Sequence, residues 1–423
     1  MMGDSRRVES PIPNAMQINH RVRRAAQRSP KHSSLAGTNL ERAADYNQRV
    51  TLQAIRVNGE ITRQDLARIT GLTPPSIANI TNRLLQEDLI VELGRLRGKR
   101  GQPAKRLAIN PDGAFSIGLN IDRDHVTAVA LDVTGNVRAR ITDEIDFALP
   151  NAVVSFARTA MEEMLRTRQF AKSKIIGTGV ALPDDLGQID LPHRPSSYGV
   201  WNTVDVNKML ANVLPEPILV ENDAAAAAIG ELQFGHGLRS PTFFYLLISA
   251  SLGGGLVIDG SYFRGADGRS GEIGFLPLRS RRTKAHSLQA AVSLSALYEL
   301  LAEKNRAVSR PEDLLSLDAK GKEVVADWIA DSADFLTDPL LAVSCLVNPK
   351  AVFIGGRLPS GLVDELAERL NQRLRSRAGD VPKIAPVMRA AMATDAPAVG
   401  AAILPFQERL LPSRSALMKV SAD

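Results

Sequence analysis

Cysteine and aromatic residues are scarce in this sequence, which has one Cys in 423 residues and an aromatic content of 4%. A single cysteine excludes an internal disulfide and a cysteine-rich zinc site. We expect Cys345 to be a buried apolar residue of an amphipathic helix. The most apolar run, TFFYLLISASLGGGLVIDG, is interrupted by Ser and Gly and predicts a strand hairpin rather than a membrane span. The N-terminus lacks the apolar core of a secretory signal, so we expect a cytoplasmic protein.

Positive charge is concentrated in the first quarter of the chain. Residues 1–110 contain 19 Lys and Arg against nine Asp and Glu, whereas residues 111–423 contain 33 against 37. The first segment is therefore a candidate for binding a polyanion, and the second is not. The polar, arginine-rich residues 1–38 predict a disordered basic tail.

Residues 39–110 have the pattern of a winged helix-turn-helix. Thr62 followed by Asp65 predicts a capped short helix, Gly71 supplies the turn, and Thr73 before Pro74 predicts the start of a second helix. A small residue, Ala67, precedes Gly71 by four positions, and the apolar Ile77 follows it by six, as two touching helices require.

Two short strands after the second helix flank a basic loop, as in the wing of such domains. The outward residues of the second helix and the basic residues of the loop are the candidates for contacting double-stranded operator DNA. These predicted DNA-binding residues are Thr73, Ser76, Asn79, Arg83, Arg97, Lys99, Arg100 and Lys105. An unrelated helical hairpin with a solvated charge run is the alternative interpretation.

Residues 111–423 alternate between strand and helix patterns. A hairpin pattern begins at FSIGLNIDRDHVTAVALD, and a second one, TFFYLLISASLGGGLVIDG, restarts the same order. The sequence therefore predicts an α/β protein in which the winged helix-turn-helix is followed by a duplicated, two-lobed domain with a cleft between the lobes.

The motifs VENDAAAAAIGE, GGGLVIDGSYFRGADGRSGEIG and VFIGGRL resemble those of the ROK family of bacterial sugar kinases and sugar-responsive repressors, which have an actin-like fold. The resemblance covers about residues 40–410. The segment GQPAKRLAINP is similar to the wing and linker of the repressor branch.

The resemblance also shows what this chain has lost. The kinases hold ATP phosphates with Asp-x-Gly-Gly-Thr-Lys, and the matching positions here are Asn120, Asp122, Arg123, Asp124 and His125. Backbone approach to phosphate is therefore blocked, and the second phosphate loop has become Ser-Ala-Ser-Leu-Gly-Gly-Gly. We expect no ATP site and no phosphoryl transfer, and hence no enzyme.

The family's zinc site is missing from the sequence as well. Phe275 stands in place of a ligand histidine, and no cysteine cluster follows it. We expect neither a metal nor a cofactor.

Asp223 lies where a strand meets an alanine-rich helix, and three roles are open to it. It could be a catalytic base, as in the kinases, a helix cap, or a ligand-binding carboxylate. Without ATP we favour the third. The resemblance assigns a carbohydrate-like effector to Asn222, Asp223, Glu272 and Gln289.

The sequence therefore predicts a homo-oligomeric (dimeric or tetrameric) repressor of carbohydrate uptake or catabolism genes that responds to a sugar or sugar derivative. The alternatives are an active sugar kinase with a DNA-binding module and a DNA-binding scaffold that needs no ligand.

Overall fold

The structure, a computed structural model, describes residues 40–95, 105–188, 194–377, 379, 383–392 and 395–413. The predicted tail, residues 1–38, lies outside the described residues, as do the predicted DNA-contacting residues Arg97, Lys99 and Arg100.

The N-terminal part of the chain, which we call the head, is a winged helix-turn-helix. Its elements in chain order are α1 (Leu40–Asn58), β1 (Ile61–Thr62), α2 (Arg63–Thr70), α3 (Pro74–Gln86), β2 (Ile90–Arg95) and β3 (Lys105–Ile109). The strands form a three-stranded antiparallel sheet in the order β1-β3-β2. The sequence predicted the two longer strands but not β1.

Local signals place the two helices of the motif. Thr62 caps α2 by accepting a hydrogen bond from the backbone N–H of Asp65, and α2 ends at Gly71, whose φ of 71° is left-handed. The Gly71 N–H donates to the carbonyl of Ala67 at 3.0 Å. Thr73 then caps α3, and Ile77 on its inner face is fully buried. The predicted caps and turn are thereby confirmed.

Two five-stranded sheets with the same topology form the rest of the chain. The first consists of β4 (Phe115–Ile121), β5 (Val126–Asp132), β6 (Val137–Asp143), β7 (Ile175–Leu182) and β8 (Ile218–Asn222). The second consists of β9 (Phe243–Ile248), β10 (Leu252–Ile258), β11 (Ser261–Tyr262), β12 (Ala351–Gly356) and β13 (Val387–Arg389).

The strand orders are β6-β5-β4-β7-β8 and β11-β10-β9-β12-β13, so each sheet has an antiparallel meander on one side and parallel strands on the other. The predicted duplicated, two-lobed α/β fold is confirmed.

Helices cover both faces of each sheet. They are α4 (Pro150–Arg166), α5 (Val206–Leu210), α6 (Asp223–Phe234), α7 (Leu294–Glu303), α8 (Ala319–Val347), α9 (Ser360–Ser376) and α10 (Ala396–Arg409). Helices α4 and α5 pack on the outer face of the first sheet, and α7, α8 and α9 pack on that of the second. Helix α10 lies on the inner face of the first sheet, α6 lies on that of the second, and the two helices pack against each other between the lobes.

Small residues allow this central packing. A Cβ atom added at Gly400 of α10 would lie 1.7 Å from the carbonyl oxygen of Ala226 in α6. Added at Gly118 or Gly179, it would lie 1.9 or 1.8 Å from carbonyl oxygens of α10. The five consecutive alanines of α6 are all buried because the helix is enclosed on every side.

Cys345 does not have the predicted environment. It lies on α8 but is exposed, because that helix turns Leu341 and Ser344 inward instead. Among the described residues, no helix has both the length and the apolar character needed to cross a membrane.

We predict that Gly400→Ala destabilises the protein by about 1–3 kcal/mol, because α6 and α10 must separate to admit one methyl group. Chemical denaturation measures the change in the free energy of unfolding. The matched control is Gly361→Ala, since Gly361 is an exposed residue of α9 with no atom within 4 Å of an added Cβ. That variant should be more stable by about 0.5–1 kcal/mol. Equal effects of the two substitutions would contradict the tight contact.

Candidate functional sites

The outer face of α3 carries the predicted base-reading residues. Ser76, Asn79 and Arg83 are all exposed, and Arg83 forms an ion pair with Glu87 at 3.0 Å. Thr73 is exposed too, and its hydroxyl lies 2.9 Å from that of Ser76 while it caps the helix. A polar, solvent-facing helix surface of this kind suits a major groove.

Two further residues brace this surface, and the sequence analysis missed one of them. The Arg63 guanidinium of α2 donates to Thr81 of α3 at 2.8 Å and to Glu92 of β2 at 3.2 Å. The predicted DNA contact Lys105 is exposed and forms an ion pair with the same Glu92 at 2.5 Å. Arg63 therefore links α3 to the strands of the wing. No sequence signal marks it, since its partners lie 18 and 29 residues away.

A cleft between the lobes contains all four predicted effector residues: Asn222, Asp223, Glu272 and Gln289. The cleft encloses about 480 Å³, open solvent included. The ends of β7 and β8 and the start of α6 form one wall. The β9–β10 turn and the segment leading to Phe275 form the other. A space of this size accommodates a small polar molecule.

The role of cap belongs to Asn222, not to Asp223. The Asn222 Oδ1 accepts from the Ala225 N–H at 3.0 Å, so Asn222 is the N-cap of α6. Asp223 is the first helical residue and accepts from the adjacent Ala224 N–H at 2.8 Å. Burial and the nearby Asp122 carboxylate raise the pKa of Asp223 to about 7.

The cleft also contains charged residues that the sequence analysis did not select. Arg269 forms ion pairs with Asp185 at 2.5 Å and with Glu272 at 2.9 Å. Burial raises the pKa of Asp184 to about 6, against the opposing effect of Arg269. The signal available in the sequence was the pair Asp184-Asp185 directly after β7, since neighbouring parallel strands end at one edge of a sheet.

Side chains connect the turn between β4 and β5 to the turn between β9 and β10. The Asp122 carboxylate accepts from the Ser249 hydroxyl at 2.6 Å. The Arg123 guanidinium donates to the Ser251 hydroxyl at 3.0 Å. Asp122, Arg123 and Ser249 are all at most 3% exposed.

Asp122, Asp124 and His125 have donor atoms within 4.8 Å of one another, which is a geometry that could hold a metal ion. The ligand atoms of these three residues already have partners within the protein, however. Asp124 accepts from Arg357 at 3.1 Å and contacts His125 at 2.6 Å. Burial opposes ionisation of both groups, but the mutual attraction lowers the pKa of Asp124 to about 2 and raises that of His125. The cluster thus serves as an ion-pair network between the lobes, in which a divalent cation would compete with Arg357.

Comparison with known proteins agrees with this architecture. The model of the ROK family matches residues 116–408, and a winged helix-turn-helix DNA-binding model matches residues 45–91. The chain belongs to the ROK family.

Several proteins are similar to this ROK chain over most of its length. Protein y4fQ of Sinorhizobium fredii, which is uncharacterised, is 27% identical and covers 85% of this chain and 90% of its own. The xylose repressor of Bacillus spizizenii is 23% identical, with coverages of 84% and 93%. A crystal structure described as a ROK family transcriptional regulator, a homologue of the E. coli MLC protein, superimposes with a TM-score of 0.64. It is 22% identical and covers 87% of this chain and 98% of its own.

We predict that Asp223→Asn stabilises the protein more at pH 8 than at pH 5. Because the pKa of Asp223 is higher in the folded than in the unfolded state, proton binding stabilises the fold fully only below the ordinary aspartate pKa of about 4, and this stabilisation is lost progressively as the pH rises from there through about 7. Asparagine needs no proton, so the variant should gain about 1–3 kcal/mol at pH 8.

Thermal denaturation at the two pH values tests this. Asp267→Asn removes the same charge from an exposed position and is the control, with an expected effect below about 0.5 kcal/mol. If Asp223→Asn increased stability equally at both pH values, the pKa of Asp223 would not be raised in the folded protein.

Proposed function

We propose that this ROK protein is a transcriptional repressor of carbohydrate uptake or catabolism genes, whose affinity for operator DNA changes when an effector binds in the interlobe cleft. The observation that carries the proposal is the position of α6. Its first residue, Asp223, lines the cleft, and its last residue, Phe234, contacts the head. The xylose repressor similar to this chain supports the assignment to sugar genes.

In the proposed complex, α3 lies in the major groove. Asn79 is placed to pair with adenine through two hydrogen bonds, and Ser76 and Arg83 flank it on the same exposed face. Arg97, Lys99, Arg100 and Lys105 of the wing supply phosphate or minor-groove contacts, which contribute affinity with little sequence preference.

The proposed effector site comprises the four cleft residues predicted from the sequence. Carboxylates such as those of Asp223 and Glu272 accept strong hydrogen bonds from hydroxyl groups, and the amide of Gln289 can donate and accept. Since these residues come from both lobes, a polyol in the cleft would favour one interlobe geometry over another.

We further propose that the protein is not an enzyme. Phosphoryl transfer depends on positioning the phosphates and their metal ion. The phosphate-loop positions are here occupied by Asp122 and Arg123, which are hydrogen-bonded to the opposite turn. Turnover of ATP with glucose, N-acetylglucosamine, fructose, mannose or xylose would contradict this part of the proposal.

Helix α6 offers the route from the cleft to the head. The Arg56 guanidinium of α1 lies 4.4 Å from the centroid of the Phe234 ring and donates to the Gln233 carbonyl oxygen at 3.0 Å. The helix has 12 residues and spans about 18 Å. A shift of its N-terminus on ligand binding would therefore move the surface on which α1 rests.

A homo-oligomer, dimeric or tetrameric, is also part of the proposal. Helix-turn-helix proteins gain affinity by binding two half-sites at once, so the symmetry of the operator reflects that of the protein. Light scattering on the intact chain would measure the oligomeric state.

The central experiment is to select the genomic fragments that the intact protein binds and to measure affinity for the best of them. We predict that Asn79→Ala loses about 1–3 kcal/mol of discrimination at one base pair of that site, because one base-specific contact is removed. Asn136→Ala, at an exposed turn in the first lobe, is the control and should bind as the wild type does. If Asn79→Ala kept the full sequence preference, α3 would not be the reading helix.

We predict that Arg56→Gln reduces the effect of ligand on operator affinity while leaving the affinity without ligand within about threefold. In the wild type, the coupling free energy between effector binding and operator binding is expected to be about 1–3 kcal/mol, which changes operator affinity roughly 5–150-fold. The ligand is the one sugar among those named above, or among their acidic derivatives, that changes operator affinity most in the wild type.

Arg49→Gln is the matched control. Arg49 lies on the same helix and donates to the Glu408 carbonyl oxygen at 2.8 Å, so it contacts α10 rather than α6. A similar loss of response in both variants would mean that docking of the head in general, and not α6, transmits the signal.

A further inference from the structure

Arg123 is a buried cation at the edge of the effector cleft. It lies in the turn between β4 and β5, is 2% exposed and lines the same cleft as Asp223. In the kinases that this domain resembles, glycine stands at the matching position. A buried guanidinium is costly unless hydrogen-bond acceptors surround it.

The protein supplies acceptors for only part of this guanidinium. The Nη1 atom donates to Ser251 at 3.0 Å and has a long contact of 3.4 Å with Asp122. The Nε and Nη2 atoms are buried and have no hydrogen-bond partner among the described residues. These two atoms belong to the N–H fork with which arginine binds a carboxylate or phosphate through paired hydrogen bonds.

Neighbouring carboxyl groups do not complete the pairing. Asp122 already accepts from the Ser249 hydroxyl and from the Arg123 backbone N–H. Burial raises the pKa of Asp223 more than the positive charge of Arg123 lowers it, so the pKa stays well above the usual value. Asp223 therefore resembles a neutral acid more than a counter-ion. A neutral carboxyl group can donate a hydrogen bond to an anion.

Other buried donors nearby also lack acceptors. The Tyr198 hydroxyl is buried and unpaired within the described residues, and it lies within electrostatic reach of Arg123 and Arg194. The Arg194 Nε is in the same condition. By contrast, the other arginine of the cleft, Arg269, is neutralised by Asp185 and Glu272. Among the described residues, the unpaired donor atoms of an arginine that lines the cleft are therefore those of Arg123.

We propose that the effector is a carbohydrate bearing an acidic group, a carboxylate or a phosphate monoester, and that Arg123 binds this group. The inference rests on the proposed function of the cleft as the effector site. The acidic group lies at the turn between β4 and β5, and the sugar hydroxyls face Asn222, Glu272 and Gln289.

The test is calorimetric titration of the intact protein with matched ligands: glucose, glucuronate, glucose 6-phosphate and inorganic phosphate. We expect at least one acidic sugar to bind tenfold or more tightly than glucose. Comparing glucuronate with glucose 6-phosphate identifies which acidic group is preferred. Equal affinity for glucose and both acidic sugars, or binding of inorganic phosphate alone, would overturn the proposal.

Substitutions locate the acidic group. Arg123→Gln should abolish the tenfold preference while the affinity for glucose changes less than threefold. Arg123→Lys keeps the charge but loses the paired geometry, so it should keep part of the preference. Arg282→Gln, at an exposed arginine of the second lobe, should keep all of it. Retention of the full preference in Arg123→Gln would reject the assignment. If that variant does not fold, the wild-type affinities and Arg123→Lys still decide.

Operator binding separates this inference from the proposed function. If glucose releases the wild-type protein from its operator as well as the acidic sugars do, the cleft is an effector site and only the acidic-group inference fails. If no sugar binds or alters operator affinity, both proposals fail.

Discussion

The close packing of α6 against α10 is the constraint on which the rest of the structure depends. Backbone contacts at Gly400, Gly118 and Gly179 hold these helices between the two sheets with no room for side chains. The position of α6 is therefore fixed by the interior of the protein rather than by its ends. One end is left to line the cleft and the other to support the head. A rigid element with functional groups at both termini suits the transmission of small displacements, because close-packed interiors pass strain on rather than absorb it.

Charge is arranged around the cleft in two distinct groups. At one end, Arg269 is neutralised by the carboxylates of Asp185 and Glu272. At the other, the Nε and Nη2 atoms of buried Arg123 have no acceptor among the described residues, and Asp223 has a raised pKa. The ROK framework thus presents a ligand with one surface on which carboxylates outnumber the arginine and one with unpaired N–H donors. Because the two ends of the cleft differ in charge, a polyol with similar hydroxyl groups along its length would bind in one orientation rather than the other.

The sequence was most informative where structure is local. The caps at Thr62 and Thr73, the turn at Gly71 and the duplicated hairpins follow from neighbouring residues, and all were predicted. The sequence left open whether Asp223 caps α6, because either side chain of the Asn-Asp pair could accept the capping bond, and the cap is Asn222. Cys345 was predicted to be buried but is exposed. The error arose because composition does not reveal which face of α8 packs inward. Arg63, Arg269 and the contact of Arg56 with Phe234 depend on partners distant in sequence, and a pattern of spacings does not identify them.

The hydrogen bonds that join the β4–β5 and β9–β10 turns have a consequence for how this domain tolerates sequence change. Asp122 with Ser249 and Arg123 with Ser251 are interdependent pairs from opposite lobes. Restoring glycine at one position would leave a buried polar group on the other lobe without its partner, at a cost of about 1–3 kcal/mol. Replacing these side chains with glycine would therefore pass through destabilised intermediates unless both lobes changed together.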